Sequence, residues 1–162
     1  MRVHLGSDHA GLEVKNHLVE ILRGDGHDVV DHGPFGFDPD DDYPTFCLRV
    51  AEAVAAGDVG TEHTLGVVLG GSGNGEQMAA NKVRGIRTAL VWNEQTATLA
   101  REHNDAQVAS VGARMHSLDE VVAMVQTFLR TSFSGDERHS RRIAQLQRYE
   151  QTGELPPLPD SR

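Results

Sequence analysis

One cysteine, Cys47, stands alone in a chain of 162 residues, so no disulfide can form within it, which fits a reducing compartment. No apolar run approaches the ~20 residues needed to cross a bilayer. The opening segment, MRVHLGSDHAG, lacks a basic region followed by a long apolar stretch. No secretion signal is read there, and a cytoplasmic location is expected. Positive charge is also scarce: Lys and Arg total 15 against 24 Asp and Glu, a formal net charge of -9. A nucleic acid or an anionic membrane surface is therefore a poor partner. A small anionic ligand is still admissible where the few cations converge, so their positions matter more than their sum.

Familiar chemical signatures are missing as well. No Gly-Lys-Ser/Thr closes a phosphate loop, and the glycines do not follow G-x-G-x-x-G. A serine-hydrolase elbow would need glycine at position 74, which is Asn74. The 9 histidines are scattered, with no H-E-x-x-H and no Cys/His spacing for zinc. Asp38, Asp40 and Asp42 imitate the start of a calcium loop, but its sixth position is Tyr43 and its twelfth is Arg49. Neither a metal nor a cofactor is expected. The acidic segment 33–43 reads as a solvated loop, and Cys47 as a small core residue of an amphipathic helix.

What is present suits one folded domain, expected over residues 1–150, with a Pro-rich tail over 151–162. A chain of this length buries roughly 70% of its extended surface on folding, enough to do without staples. Arg2–Ser7 reads as a strand. Gly11–Arg23 reads as a helix with Val14, Leu18, Ile21 and Leu22 on one face, stopped by Gly24 and Gly26. His27–His32 is a second strand, and Pro44–Ala56 a helix that opens on proline. Leu65–Leu69, apolar on both faces, reads as a central parallel strand. A helix from about Glu76, a strand Arg87–Trp92, a helix Asn93–Glu102 and a strand Gln107–Val111 follow. Ser117 and Glu120 suggest a capping box at the start of a helix carrying Val121, Val125, Phe128 and Leu129. The last helix runs from about Asp136 to Tyr149, where His139, Ile143 and Leu146 form a face that can pack.

Repeated strand–helix alternation implies an α/β fold: one parallel sheet of five strands with helices on both faces. Ligands in such folds sit beyond the carboxyl ends of the strands. That directs attention to Ser7–Gly11, Gly70–Glu76, Trp92–Glu94 and Gly112–Arg114. The run Gly70-Gly71-Ser72-Gly73-Asn74-Gly75-Glu76 lies between a strand and a helix. Glycines at this density let the backbone approach a ligand, and the helix start favours an anion or oxyanion. Glu76 fits two readings, helix-start charge matching or a base beside the ligand. Asp8 and His9 equally fit a helix-capping turn or proton handling. His103, at a helix C-terminus, is well placed as a structural histidine, with Asn104 beside it. Arg138 and Arg142 are spaced to share a helix face, suited to a phosphate clamp or to a plain solvated surface.

Taken in order, Gly6-Ser7-Asp8-His9-Ala10-Gly11, Asp42-Tyr43-Pro44, the stretch GGSGNGEQMAANKVRGIRTAL from Gly70 to Leu90, Glu102-His103-Asn104 and Gly112-Ala113-Arg114 resemble ribose-5-phosphate isomerase type B. The likeness covers about Met1–Tyr149. It implies a Rossmann-like three-layer α/β/α fold, a homodimer with active sites built from both subunits, and interconversion of ribose 5-phosphate and ribulose 5-phosphate. Many members of that family have Cys-Gly-Thr-Gly where this chain has Gly70-Gly71-Ser72-Gly73, and use that cysteine as base. Here the chain is similar to the actinobacterial branch, in which a glutamate at the Glu76 position takes the role. The resemblance further implies that Asp8 and a partner's His103 open the sugar ring. Ser72 and the backbone of Gly71, Gly73, Asn74 and Gly75 would hold the enediolate, and Asn104 a sugar hydroxyl or the enediolate oxygen. His9, Arg114, Arg138 and Arg142 would hold the phosphate. Other aldose phosphates (allose 6-phosphate, galactose 6-phosphate, a tetrose phosphate), a non-catalytic sugar-phosphate sensor and a purely structural module are the competing readings.

Overall fold

A computed structural model describes residues 1–57 and 64–158. Residues 159–162 of the expected tail lie outside it. Among the described residues, five strands and six helices follow one another, alternating as far as α5: β1 (Arg2–Ser7), α1 (Leu12–Gly24), β2 (Asp28–Asp31), α2 (Tyr43–Ala56), β3 (Thr64–Gly70), α3 (Asn74–Ala80), β4 (Thr88–Val91), α4 (Glu94–Asn104), β5 (Val108–Gly112), α5 (Leu118–Arg130) and α6 (Glu137–Thr152). The strands form one all-parallel sheet in the order β2-β1-β3-β5-β4. No helix among the described residues is long and apolar enough to cross a membrane.

Alternation along β3 explains the three layers. Leu65, Val67 and Leu69 point to the face covered by α1, α4 and α5, where Leu18, Leu22, Ala97, Val125 and Phe128 close the larger core. Val68 points the other way, into a smaller core with Cys47, Val50 and Val54 of α2 and Ala80 of α3. A central strand buried on both sides must be apolar throughout, as this one is. Full burial of a Leu or Phe side chain contributes about 1.5–3 kcal/mol. Helix ends follow local chemistry too: Ser117 and Glu120 form the expected capping box, and Asn93 with Thr96 forms a second at the start of α4.

The sequence boundaries hold to within a residue or two except at the end of α6, which runs to Thr152, three residues past the expected Tyr149 and into the expected tail; one expectation of packing also fails. α2 starts at Tyr43, so its proline is the second residue, and α3 starts at Asn74. On α6, His139 and Ile143 are buried against α4, but Leu146 is 59% exposed and does not join them within the chain. Its apolar neighbours Tyr149 and Leu155 are exposed as well.

β1 and β3 are adjacent, yet their following helices leave toward opposite faces of the sheet. This is the switch point where an open α/β sheet forms a crevice at its carboxyl edge.

Candidate active site

The two loops beside that switch point supply most of the site. β3 ends at Gly70, and the chain turns through Gly73, whose φ of 82° is a left-handed conformation that glycine takes without strain. Ala113 N–H donates to the Gly70 carbonyl at 2.8 Å, Arg114 N–H to the Gly71 carbonyl at 3.1 Å, and Ser110 Oγ to the Gly73 carbonyl at 2.7 Å. The loop's acceptors are thus committed to β5 and its end, while the first N–H groups of α3 have no intrahelical partner. Ser72 and Asn74 lie exposed on the rim, with Ser72 Oγ accepting from Asn74 N and Nδ2 at 3.3 Å each.

Glu76 sits in the first turn of α3, yet only 4% of it is exposed. Its side chain folds under Gly70. A Cβ at position 70 would lie 1.9 Å from Glu76 Oε1 and 2.2 Å from Cδ. The missing side chain at 70 is what makes room for the carboxylate. Oε2 is buried without a hydrogen-bond partner among the described residues. Burial pushes the Glu76 carboxyl up from its ordinary value; backbone N–H groups of Glu76 and Gly73 oppose this, and the charge of Asp8 adds to it. A desolvated carboxylate with an unused oxygen is equipped to take a proton from carbon. Cys47 lies fully buried behind it on α2, and burial, then the charges of Glu76 and Asp8, push its thiol up. It carries no nucleophilic thiolate.

Beyond β1, Asp8 is 8% exposed, and its Oδ1 accepts from the N–H groups of Ala10 and Gly11 at 2.9 and 3.2 Å. These bonds close the turn ahead of α1, whose N-cap is Gly11 with no side-chain cap, so Asp8 shapes the turn rather than capping the helix. Its own N–H donates to the Leu69 carbonyl, which ties this turn to the end of β3. Arg114 leans over the loop, its Cδ 3.8 Å from where a Cβ on Gly71 would be. Asp8, His9, Gly71, Ser72, Gly73, Asn74, Gly75, Glu76 and Arg114 therefore share one edge of the sheet.

His103, Asn104, Arg138 and Arg142 do not join them within the chain. α4 begins just after the carboxyl end of β4 and runs back, so its C-terminus reaches the opposite edge. There the Asn104 carbonyl accepts from Arg87 Nε at 2.8 Å, one residue before β4 begins. His103 stacks on His139 of α6, with centroids 4.2 Å apart and ring planes 14° from parallel. α6 continues along that edge until Glu150 accepts from the Gly85 N–H. Arg138 and Arg142 are exposed on it.

The sequence profile described as Ribose/Galactose Isomerase matches residues 3–146. Ribose-5-phosphate isomerase B of Mycobacterium tuberculosis is 54% identical over 159 residues, covering 98% of this chain and 96% of the relative. The chain belongs to the ribose/galactose isomerase family. A crystal structure of ribose-5-phosphate isomerase B from Mycoplasma genitalium with bound ribulose-5-phosphate superposes with a TM-score of 0.88 at 41% identity, covering 93% of this chain and 97% of that one. Ribose-5-phosphate isomerase B of Clostridium thermocellum superposes at 0.87 with 38% identity, over 95% of this chain and 100% of that one.

Two residues of this family member had no role in the sequence reading. Tyr43 lies against the glycine loop: a Cβ on Gly75 would be 2.8 Å from its ring. Its signal was the Asp42-Tyr43-Pro44 motif. Asp41 corrects the reading of 33–43 as a wholly solvated acidic loop. Asp38, Asp40 and Asp42 are exposed, but the Asp41 side chain is 9% exposed and accepts from both the backbone N–H and Nδ1 of His9. Its spacing in the run of acids did not distinguish it. Donor atoms of Asp8, His9 and Asp41 lie within 4.8 Å of one another, but the shortest approach is this His9–Asp41 hydrogen bond.

Proposed function

We propose that the chain is a ribose-5-phosphate isomerase, interconverting D-ribose 5-phosphate and D-ribulose 5-phosphate without metal or cofactor, as a cytoplasmic homodimer. The observation that carries the mechanism is the buried Glu76 carboxylate beneath Gly70, beside a loop of backbone N–H groups. Family membership supports the substrate class.

On this reading the ring of the bound sugar is opened by Asp8 and by His103 of the partner subunit. Glu76 removes the C2 proton of the open aldose, and the electron pair moves onto the carbonyl oxygen to give an enediolate. The O2 proton moves to O1, and Glu76 returns its proton to C1, leaving a carbonyl at C2. A positioned base of raised pKa contributes about 10²–10⁴-fold. Each preorganised donor to the oxyanion, here Ser72 and the N–H groups of Gly71–Gly75, contributes about 10²–10³-fold. His9 and Arg114, with Arg138 and Arg142 of the partner subunit, hold the phosphate, and Asn104 of the partner subunit holds a sugar hydroxyl. Sharing between two copies accounts for the division of these residues between opposite edges of one chain. A base, an oxyanion cradle and a phosphate clamp complete this chemistry with protein groups alone.

The test is turnover of ribose 5-phosphate by the purified protein in excess chelator, beside Glu76→Gln. Chelator-resistant turnover abolished in the variant supports both function and base. Turnover that survives in the variant removes Glu76 from the role. Preference for allose 6-phosphate would move the substrate and leave the mechanism.

A further inference from the structure

The His9 imidazole is held more firmly than a phosphate contact on a surface loop requires. Asp41 Oδ1 accepts from the His9 backbone N–H at 3.0 Å and lies 2.7 Å from its Nδ1. A carboxylate oxygen only accepts, so the proton between them belongs to Nδ1. Phe37 closes another side of the ring, edge-on at 88° with centroids 6.0 Å apart. The Asp41 side chain is 9% exposed, and its Oδ2 is buried with no partner among the described residues, so His9 is the group its carboxylate engages.

We propose that Asp41 is a positioning residue for phosphate recognition: by holding the Nδ1 proton of His9, it turns Nε2 into a charged donor toward the substrate phosphate. The inference rests on the reading that His9 contacts the phosphate. With Nδ1 protonated, the ring has two states. Nε2 is either a lone pair, which a phosphate dianion repels, or an N–H, which it accepts from. Phosphate therefore selects the imidazolium, and the Asp41 carboxylate offsets the added charge. Asp8 lies in the same cluster as His9 and Asp41, and Arg114 and Ala10 both approach the space over Gly71.

Asp41→Asn keeps the size and an oxygen for the His9 backbone N–H but removes the charge. Inhibition of the full-length enzyme by inorganic phosphate reads the effect directly. The Ki for phosphate and the KM for ribose 5-phosphate should both rise about tenfold, the difference between a charge-assisted and a neutral hydrogen bond, while kcat falls by less than about threefold. His9→Asn should raise Ki similarly, and the double variant should be no weaker than His9→Asn. A Ki within about twofold of wild type in Asp41→Asn, with His9→Asn impaired, overturns the role of Asp41 and leaves His9 in place. An unchanged Ki in His9→Asn removes the phosphate contact itself and the proposal with it. A measurement that needs no folded Asp41 variant is nitrogen-15 NMR of the wild-type imidazoles, with His9 assigned by its loss in His9→Asn. The free enzyme should show the His9 proton on Nδ1, and saturating phosphate should protonate both nitrogens. A proton on Nε2 alone in the free enzyme overturns the proposal.

Discussion

Replacing Gly70 by alanine adds one methyl group at the point where the Glu76 carboxylate rests. The new Cβ would stand 1.9 Å from Oε1, 2.2 Å from Cδ and 2.9 Å from Cγ. Ordinary non-bonded contact between heavy atoms begins near 3.5 Å, so the carboxylate must move by well over ~1 Å. A misplacement of that size costs about 10²-fold in rate. The obstacle is the flexible end of a side chain, so the fold itself should yield little. Alanine in a strand is also favoured over glycine by about 0.5–1 kcal/mol, and 1 kcal/mol moves Tm by about 2–4 °C at this size. The expected result is a kcat at least ~10²-fold lower with Tm within about 4 °C of wild type. The acid limb of the rate profile should also move to lower pH, because the carboxylate is pushed out of the burial that raises its pKa. Steady-state kinetics from pH 5 to 8, with a thermal melt of the same sample, measure all three. Wild-type kcat in Gly70→Ala would refute the reasoning, as would a double variant with Glu76→Gln that is slower than either single one by the product of their effects.

Glu76→Gln should be more stable than wild type at neutral pH. Its folded-state pKa is raised, so the folded protein binds the extra proton and stability falls as pH rises through that raised value. The gain in Tm, a few degrees at about 2–4 °C per kcal/mol, should shrink on acidification toward the unfolded carboxylate value; a gain that is constant with pH would contradict the buried charge. Mixing inactive Glu76→Gln and His103→Asn subunits should restore about a quarter of wild-type activity after exchange, since half the dimers are mixed and each has one intact site. No recovery would remove the partner's His103 from the site. Cys47 is fully buried with its thiol pushed up, so it should resist thiol reagents in the native state and react on unfolding. Stoichiometric labelling of the folded protein would contradict its placement.

Much of this was legible because it depends on local pattern. The doubly apolar run at Leu65–Leu69, the capping box at Ser117–Glu120 and the glycine run after β3 each announce themselves by residue type and spacing. What residue types do not show is the packing of Glu76 under Gly70, because that contact is a distance across a turn. Asp41 was lost among neighbouring acids for the same reason: its partner, His9, is 32 positions away. Leu146 was expected to pack by helical spacing, but α4 covers α6 only as far as Ile143. The separation of His103 and Arg142 from Glu76 follows from α4 running antiparallel to its strand, which the element order contains but residue types do not show.

That separation has a consequence for assembly. On the proposed reading, each chain offers two unlike surfaces, a loop-and-base edge and a histidine–arginine edge, and each would complete a site with the other. Chains joined head to tail would leave one unfilled surface at each end and, unless their rotation closed a ring, add further chains without limit. A two-fold pairing meets both needs at once and stops. Closure would then be set by how the two edges are placed about one axis, and a change that tilts α6 would act on molecular size before it acted on chemistry.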